Sequence, residues 1–341
     1  MGMSISQWFE DFQHHRDEGS RLRTVRGRGT SMRLFLECIG DKPLAEVTIA
    51  DLRRFQTWLL RDPKRGASSA NSHIRNLGRV FSEAVDEGHL ADHPLKALRK
   101  LRIPKRRVEV YSRDEAGRIL AACDRVRQRP GGQCWKTRFL LAICCGLRRG
   151  EVMAAKVADI DFERKEIWVR ESPETRETWW FGVKDYEDRK VPLSETLERF
   201  LTQRIAELPE RHPYLCLTPR RYQRCQRLRA EGLWSEDLSL EPDQNFDKPM
   251  QRIFRLAGID RRRRSFHAFR ALCITSWLAD GLPPQEVQAL AGHSDVTTTM
   301  RYYAAVGHDH VRRAAESSEK ILQYFQKGFL ELTRPKDSLL T

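Results

Sequence analysis

The chain has 341 residues, enough for two domains that each bury a core. Its 61 Lys/Arg against 47 Asp/Glu leave a formal net charge of +14, which favours a polyanionic partner, and no Lys-rich amphipathic helix or lipidation signal supports a lipid one. No signal peptide and no apolar run of roughly 18–20 residues is present, and the eight cysteines form no C-x-x-C or zinc-finger pattern, so a cytoplasmic, reducing setting is expected.

The first third is the more basic part and reads as helical throughout. Trp8, Phe9 and Phe12 predict one apolar face, and Met32, Leu34, Phe35, Leu36 and Ile39 a second. The capping pattern Thr48-x-x-Asp51 opens a third helix carrying Leu52, Phe55, Trp58 and Leu59. A fourth, from about residue 70 to 87, aligns Ile74, Leu77, Val80, Phe81 and Val85. Four such helices make a small bundle. The stretch GSRLRTVRGRGTS around residue 25 reads as a loop.

Between residues 92 and 111 the periodicity stops, and two prolines with seven Lys/Arg describe a basic linker. A second capping box, Ser112-x-x-Glu115, opens the next domain. An apolar helix ends at Gly146, and the runs EIWVR, WWFGVK and RKVPL predict a small β region with a hairpin turn at DYED. From Ser194 onward the pattern is helical, with Pro283, Pro284 and Gly292 bracketing one helix. A last amphipathic stretch covers roughly residues 311–330. The chain is thus expected to be mostly α with a small antiparallel β-sheet.

Three fragments stand out in the second half: GLRRGE, HAFR and LAGHSDVTTTMRYY. A phosphodiester attacked by a hydroxyl spreads charge over its equatorial oxygens, and arginine suits that charge because its planar fork stays protonated. The attacking hydroxyl must lose a proton and the leaving oxygen must gain one, which calls for His or Lys. Arg148 with Glu151, His267 with Arg270, His293, and the pair Tyr302 and Tyr303 supply these residue types. Each fragment alone has a plainer reading: a surface ion pair, a structural helical histidine, a helix-capping histidine. The two tyrosines point about 100° apart on a helix, so one of them faces the site.

In this order the fragments resemble the tyrosine recombinases, the phage-integrase and Xer family of site-specific DNA recombinases. The family pattern is an Arg in GLR-x-x-E, a hairpin Lys, H-x-x-R, an L-G-H turn and a Tyr nine residues after that His, and all five parts occur between residues 146 and 302. The resemblance implies that Arg148 and Arg270 clamp the scissile phosphate and that Lys184, at the hairpin turn, protonates the 5′-oxygen. It implies His267 as acid/base, His293 as a phosphate contact, Glu151 as an orienting carboxylate and Tyr302 as the nucleophile. The turn reads LAGH for LGH, and HAFR has Phe where the family usually has Leu; neither change removes a functional group.

The resemblance also implies a helical N-terminal core-binding bundle at 1–92, a basic linker at 93–110, a mixed α+β tyrosine-recombinase catalytic domain at 111–330 and a tail at 331–341. Duplex DNA is the expected partner, contacted by Lys100, Arg102, Lys105, Arg106 and Arg107 of the linker, and a homotetramer on DNA the expected assembly. The Arg runs at 220–229 and 261–264 are further basic candidates. No metal is expected, because the carboxylates are not clustered at two-metal spacing, and no ATP or other cofactor, because a tyrosyl ester conserves the bond energy. The last helix would dock on a neighbouring subunit or on its own domain. A two-domain recombinase without an added arm-binding domain fits best. A type IB topoisomerase and a non-catalytic DNA-binding regulator are the alternatives.

Overall fold

The computed structural model describes residues 2–15, 22–104, 108–126, 135–183, 188–233, 246–260, 264–303, 318–320 and 323. The chain divides into two compact units, Met1–Arg106 and Arg107–Thr341.

The first unit is helical: α1 (Ile5–His15), α2 (Leu22–Ile39), α3 (Ile49–Arg61) and α4 (Ala67–Asp86). The apolar faces turn inward, burying Trp8, Phe12, Phe35, Leu52, Phe55, Leu77, Val80 and Phe81, while Leu36, Ile39, Trp58 and Val85 are half-buried at the margin. Thr48 and Asp51 cap α3 reciprocally. Phe35 meets Phe55 and Phe81 edge-on, with ring centroids 5.2 and 5.9 Å away. Phe35→Ala is therefore expected to cost about 3–5 kcal/mol, read as a lower urea midpoint for the unit's unfolding. A midpoint equal to wild type would mean that this aromatic cluster is not the centre of the core.

Two findings depart from the sequence reading. The helix α2 begins at Leu22, so the described part of the glycine-rich stretch is helical and not a loop. The reason is Gly27: Asn76 Nδ2 and Ser31 Oγ both donate to its carbonyl, and a Cβ there would lie 3.3 Å from Asn76 Nδ2. The missing side chain permits a close helix approach that outweighs glycine's poor helix propensity. The second departure is that the first part of the basic segment packs onto this unit. Leu95, Leu98 and Leu101 rest on its core, and Asn71 binds Leu101 twice, donating to its carbonyl (2.8 Å) and accepting from its amide (3.0 Å).

In the second unit α5 (Arg113–Arg125) starts on the Ser112/Glu115 capping box, followed by α6 (Trp135–Cys144) and α7 (Arg149–Ala154). Strands β1 (Ile160–Asp161), β2 (Glu166–Val169) and β3 (Arg189–Pro192) form an antiparallel sheet in that order, with Ile167 opposite Val191. Then come α8 (Glu195–Ala206), α9 (Pro219–Ala230), α10 (Asp247–Leu256), α11 (His267–Ala279), α12 (Pro284–Ala291) and α13 (Val296–Tyr303). Residues 268–275 of α11 are all buried, which makes it the central helix of the unit. The seven described cysteines are free thiols, and among the described residues no helix is long and apolar enough to cross a membrane.

WWFGVK does not form the expected strand. Phe181 makes a single bridge to Ser172, and β2 pairs directly with β3. Trp179 stacks on Tyr214 (4.2 Å between ring centroids) and donates its backbone N–H to the Tyr214 hydroxyl. The carbonyls of Arg176 and Glu177 accept from Gln226 and Tyr222 of α9. With the Trp179 amide and the carbonyls of Arg176 and Glu177 taken by side chains and Phe181 held by its bridge, the segment becomes a strap over α9 and joins no longer ladder.

Candidate active site

The turn after α6 depends on Gly146, whose φ is +62° and whose Cβ would lie 3.2 Å from the Trp277 ring and 3.5 Å from Cys273 Sγ. It delivers Arg148 to the N-terminal cap of α7. The Arg148 amide donates to Glu151 Oε2 (2.7 Å) and its Nη1 to Oε1 (2.9 Å), so the plain surface-pair reading fails: the Glu151 side chain is only 3% exposed. Arg189 of β3 grips the same carboxylate with both Nη groups, at 3.0 and 2.6 Å. Burial alone would raise the Glu151 carboxyl, but Arg189 and then Arg148 outweigh it and hold it at about 2.

Arg270, 1% exposed, lies one turn into α11, donating Nη1 to the Gly146 carbonyl and Nη2 to that of Ala291 (2.6 Å). Its Nε is buried without a hydrogen-bond acceptor. Burial first, then the charge of Arg148, brings the guanidinium down to about 10, so it remains a cation at neutral pH.

Gly292 ends α12 in the left-handed conformation (φ +63°), as the sequence predicts. It turns the chain so that His293, 8% exposed, faces inward and shares a 2.9 Å hydrogen bond with the buried Thr299 hydroxyl through Nδ1. Burial, reinforced by Arg270 and Arg148, pushes His293 down to about 4, leaving a neutral imidazole at physiological pH. Its ring lies nearly parallel to that of Tyr302 (13°, centroids 5.7 Å apart). The Tyr302 hydroxyl is 3.2 Å from His267 Nε2. Burial raises the Tyr302 phenol, and Arg270 and Arg148 pull it back.

Arg148, Glu151, His267, Arg270, His293 and Tyr302 therefore converge from α7, α11, the turn after α12, and α13. The site brings together a shielded phenol, a histidine in contact with it, a neutral histidine and cationic donors. That set can neutralise a tetrahedral or trigonal-bipyramidal anion and move a proton. Lys184 lies outside the described residues, as do Lys105, Arg106, Arg107, residues 261–263 and most of the 311–330 stretch and all of the tail. Lys100 and Arg102 are exposed on the first unit. Arg264 is bound to Glu115 (2.6 and 2.8 Å) and is a structural residue. The side chain of Tyr303 is not among those described.

Sequence reasoning missed Arg189 and Thr299. Strand alternation carried a signal for the first, because Arg189 shares the buried face of β3 with Val191. Thr299 precedes Tyr302 by three residues and so lies on its helical face.

Because the Glu151 carboxyl is lowered on folding, its ionisation stabilises the fold fully above the unfolded value and loses that effect as pH falls through about 2. Glu151→Gln should be less stable than wild type by on the order of 3 kcal/mol above about pH 5, with the gap narrowing steadily below about pH 4. Chemical denaturation at several pH values measures this. A gap that stays constant into the acid range would mean that Glu151 is not held ionised by the arginines.

A model of the phage integrase family matches residues 109–308, and one of the phage integrase SAM-like domain matches residues 4–103. The chain is 26% identical over 325 residues to the tyrosine recombinase XerA of Thermococcus onnurineus, covering 95% of this chain and 99% of that one. It is 28% identical over 282 residues to a tyrosine recombinase XerC-like protein of Caldanaerobacter subterraneus subsp. tengcongensis, covering 76% of this chain and 68% of the relative. The fold is similar to that of the Tn1549 transposon integrase in complex with circular intermediate DNA, with TM-score 0.67, 18% identity, and coverage of 92% of this chain and 99% of that one. It is also similar to a lambda integrase dimer bound to a COC′ core site, with TM-score 0.63, 19% identity, and coverage of 88% and 95%. With the family model spanning most of the chain, and tyrosine recombinases among its relatives, the chain belongs to the phage integrase family of site-specific tyrosine recombinases.

Proposed function

We propose that the chain cuts and rejoins duplex DNA at specific sites through a 3′-phosphotyrosyl intermediate formed on Tyr302. The observation that carries this reading is the Tyr302 hydroxyl at 3.2 Å from His267, in a pocket shared with Arg148 and Arg270. The Tyr302 oxygen attacks phosphorus and the bond to the 5′-oxygen breaks. His267 takes the phenolic proton, and Lys184 gives one to the departing 5′-oxygen. Arg148, Arg270 and His293 hold the non-bridging oxygens, with His293 donating as a neutral imidazole. Attack by the 5′-hydroxyl of another strand reverses the step, so rejoining needs no separate energy source. Glu151 orients Arg148 and does not react.

Four copies on two duplexes would allow strand exchange, in the cytoplasm, where thiols stay reduced. Lys100, Arg102, Lys105, Arg106 and Arg107 would meet the phosphate backbone and fix register without reading bases. Replacing all five with Gln should lower the slope of log affinity against log salt by about 0.9 for each phosphate no longer neutralised. A slope equal to that of wild type removes them from the interface.

The test is covalent trapping. A library of nicked duplexes with randomised centres, or duplexes taken from DNA flanking the gene, lets the short 5′-hydroxyl fragment diffuse away and strands the cut enzyme. The expected result is a protein–DNA adduct that maps to the peptide containing Tyr302. An adduct on Tyr303 moves the nucleophile, and no adduct on any duplex leaves a DNA-binding regulator. Exchange between two trapped sites separates recombination from topoisomerase-like relaxation.

A further inference from the structure

An α-helix leaves its last carbonyls without intrahelical donors and gathers partial negative charge there. At the end of α12 three successive carbonyls are each taken by an arginine from a different part of the fold. Leu290 accepts from Arg189 Nε (2.9 Å), Ala291 from Arg270 Nη2 (2.6 Å), and Gly292 from Arg148 Nη2. Guanidinium groups gathered this closely repel, and the Glu151 carboxylate, bound by Arg148 and Arg189, balances only part of the charge. The helix end, with roughly half a negative charge, offsets some of the remainder and fixes where each group sits.

We infer that Arg189 is a positioning residue for strand cleavage, holding Glu151, and through it Arg148, in register with the end of α12. The inference rests on the cleavage reading given above for Tyr302. Arg189 has each of its three nitrogens engaged, Nε on Leu290 and both Nη on the two oxygens of Glu151. Its side chain is 6% exposed, against 18% for Arg148. With every nitrogen so engaged, Arg189 has no open edge for a bound backbone.

Removing it changes what Glu151 does. A buried carboxylate that loses one bidentate partner draws the remaining cation onto both oxygens. That cation is Arg148, which would be pulled off the scissile phosphate. Gly292 belongs to the same device: at φ +63° a Cβ would lie 3.1 Å from both Cδ and Nη1 of Arg189. A residue that merely tied β3 to α7 and α12 would instead lower stability and slow cleavage of every substrate alike.

Single-turnover trapping separates the two on the nicked duplex recovered above, made in two forms. One has the ordinary scissile phosphate and the other a scissile methylphosphonate, which lacks the non-bridging charge that Arg148 serves. Arg189→Met is expected to slow adduct formation about 100-fold on the phosphate and less than about 10-fold on the methylphosphonate. In an Arg148→Ala background it should slow the phosphate reaction no further. Arg189→Lys keeps the charge without the fork and should be slowed on the order of 10-fold, with the same preference. That variant decides the question if Arg189→Met lacks the wild-type thermal transition. Equal slowing on both substrates, or a rate within about threefold of wild type on the phosphate, overturns the assignment. Wild-type protein that forms no adduct through Tyr302 overturns the cleavage reading, and the inference with it.

Discussion

Tyr302→Phe is expected to bind DNA as wild type does and to form no covalent adduct, a loss of roughly 10⁴-fold or more in single-turnover trapping. The substitution removes one oxygen and leaves the ring stacked on His293. The hydrogen bond to His267 disappears, and among the described residues the hydroxyl has no other hydrogen-bond partner to lose. A cost within about 1 kcal/mol of stability is therefore expected, so the effect on chemistry far exceeds the effect on folding. The wild-type phenol is raised by burial and pulled back by Arg270 and Arg148, which keeps it protonated at neutral pH until a base takes the proton. Tyr303→Phe should trap at close to the wild-type rate, because a neighbour on α13 is rotated by about 100°. Trapping that persists in Tyr302→Phe and is lost in Tyr303→Phe would reverse the two roles.

Arg270 should give the second-largest effect. Arg270→Met is expected to slow trapping by on the order of 10³-fold, the scale seen when one preorganised donor is taken from an anionic transition state. Stability should fall by only about 1–3 kcal/mol, because two opposing changes occur. The carbonyls of Gly146 and Ala291 lose their donor, while the repulsion and burial that depress the guanidinium to about 10 are relieved. Arg270→Lys should rescue little of the rate. A single ammonium cannot span both carbonyls and still present a donor in the place of Nε. Trapping rates together with denaturation curves check this, and a Lys variant near the wild-type rate would mean that charge alone suffices at this position.

Much of this site was legible because its parts are punctuated. Gly146 and Gly292 announce the two turns, and Arg148, His267, Arg270, His293 and Tyr302 follow those turns or share helical faces with one another. The bundle was legible for a similar reason, since its apolar periodicity is clean and Thr48 marks a helix start. What escaped was set by partners distant in sequence. Arg189 looks like an ordinary strand charge until Glu151 and Leu290 are known to lie beside it. WWFGVK has the composition of a strand, but Tyr214 takes the Trp179 amide and Tyr222 the carbonyl of Glu177 just before the run. The start of α2 was hidden because Gly27 and Gly29 argue against a helix locally, while Asn76, 49 residues away, favours one.

Asn71 also defines how the two halves of this protein can be shuffled. Its paired hydrogen bonds to Leu101, with Leu95 and Leu98 packed beneath, attach the first part of the basic segment to the N-terminal unit. A chimera joined at Asp92 would inherit those leucines from the wrong parent and uncover the groove they fill. A seam placed after Leu101 keeps the module whole, so a donor N-terminal unit should be grafted with its own tail through that residue.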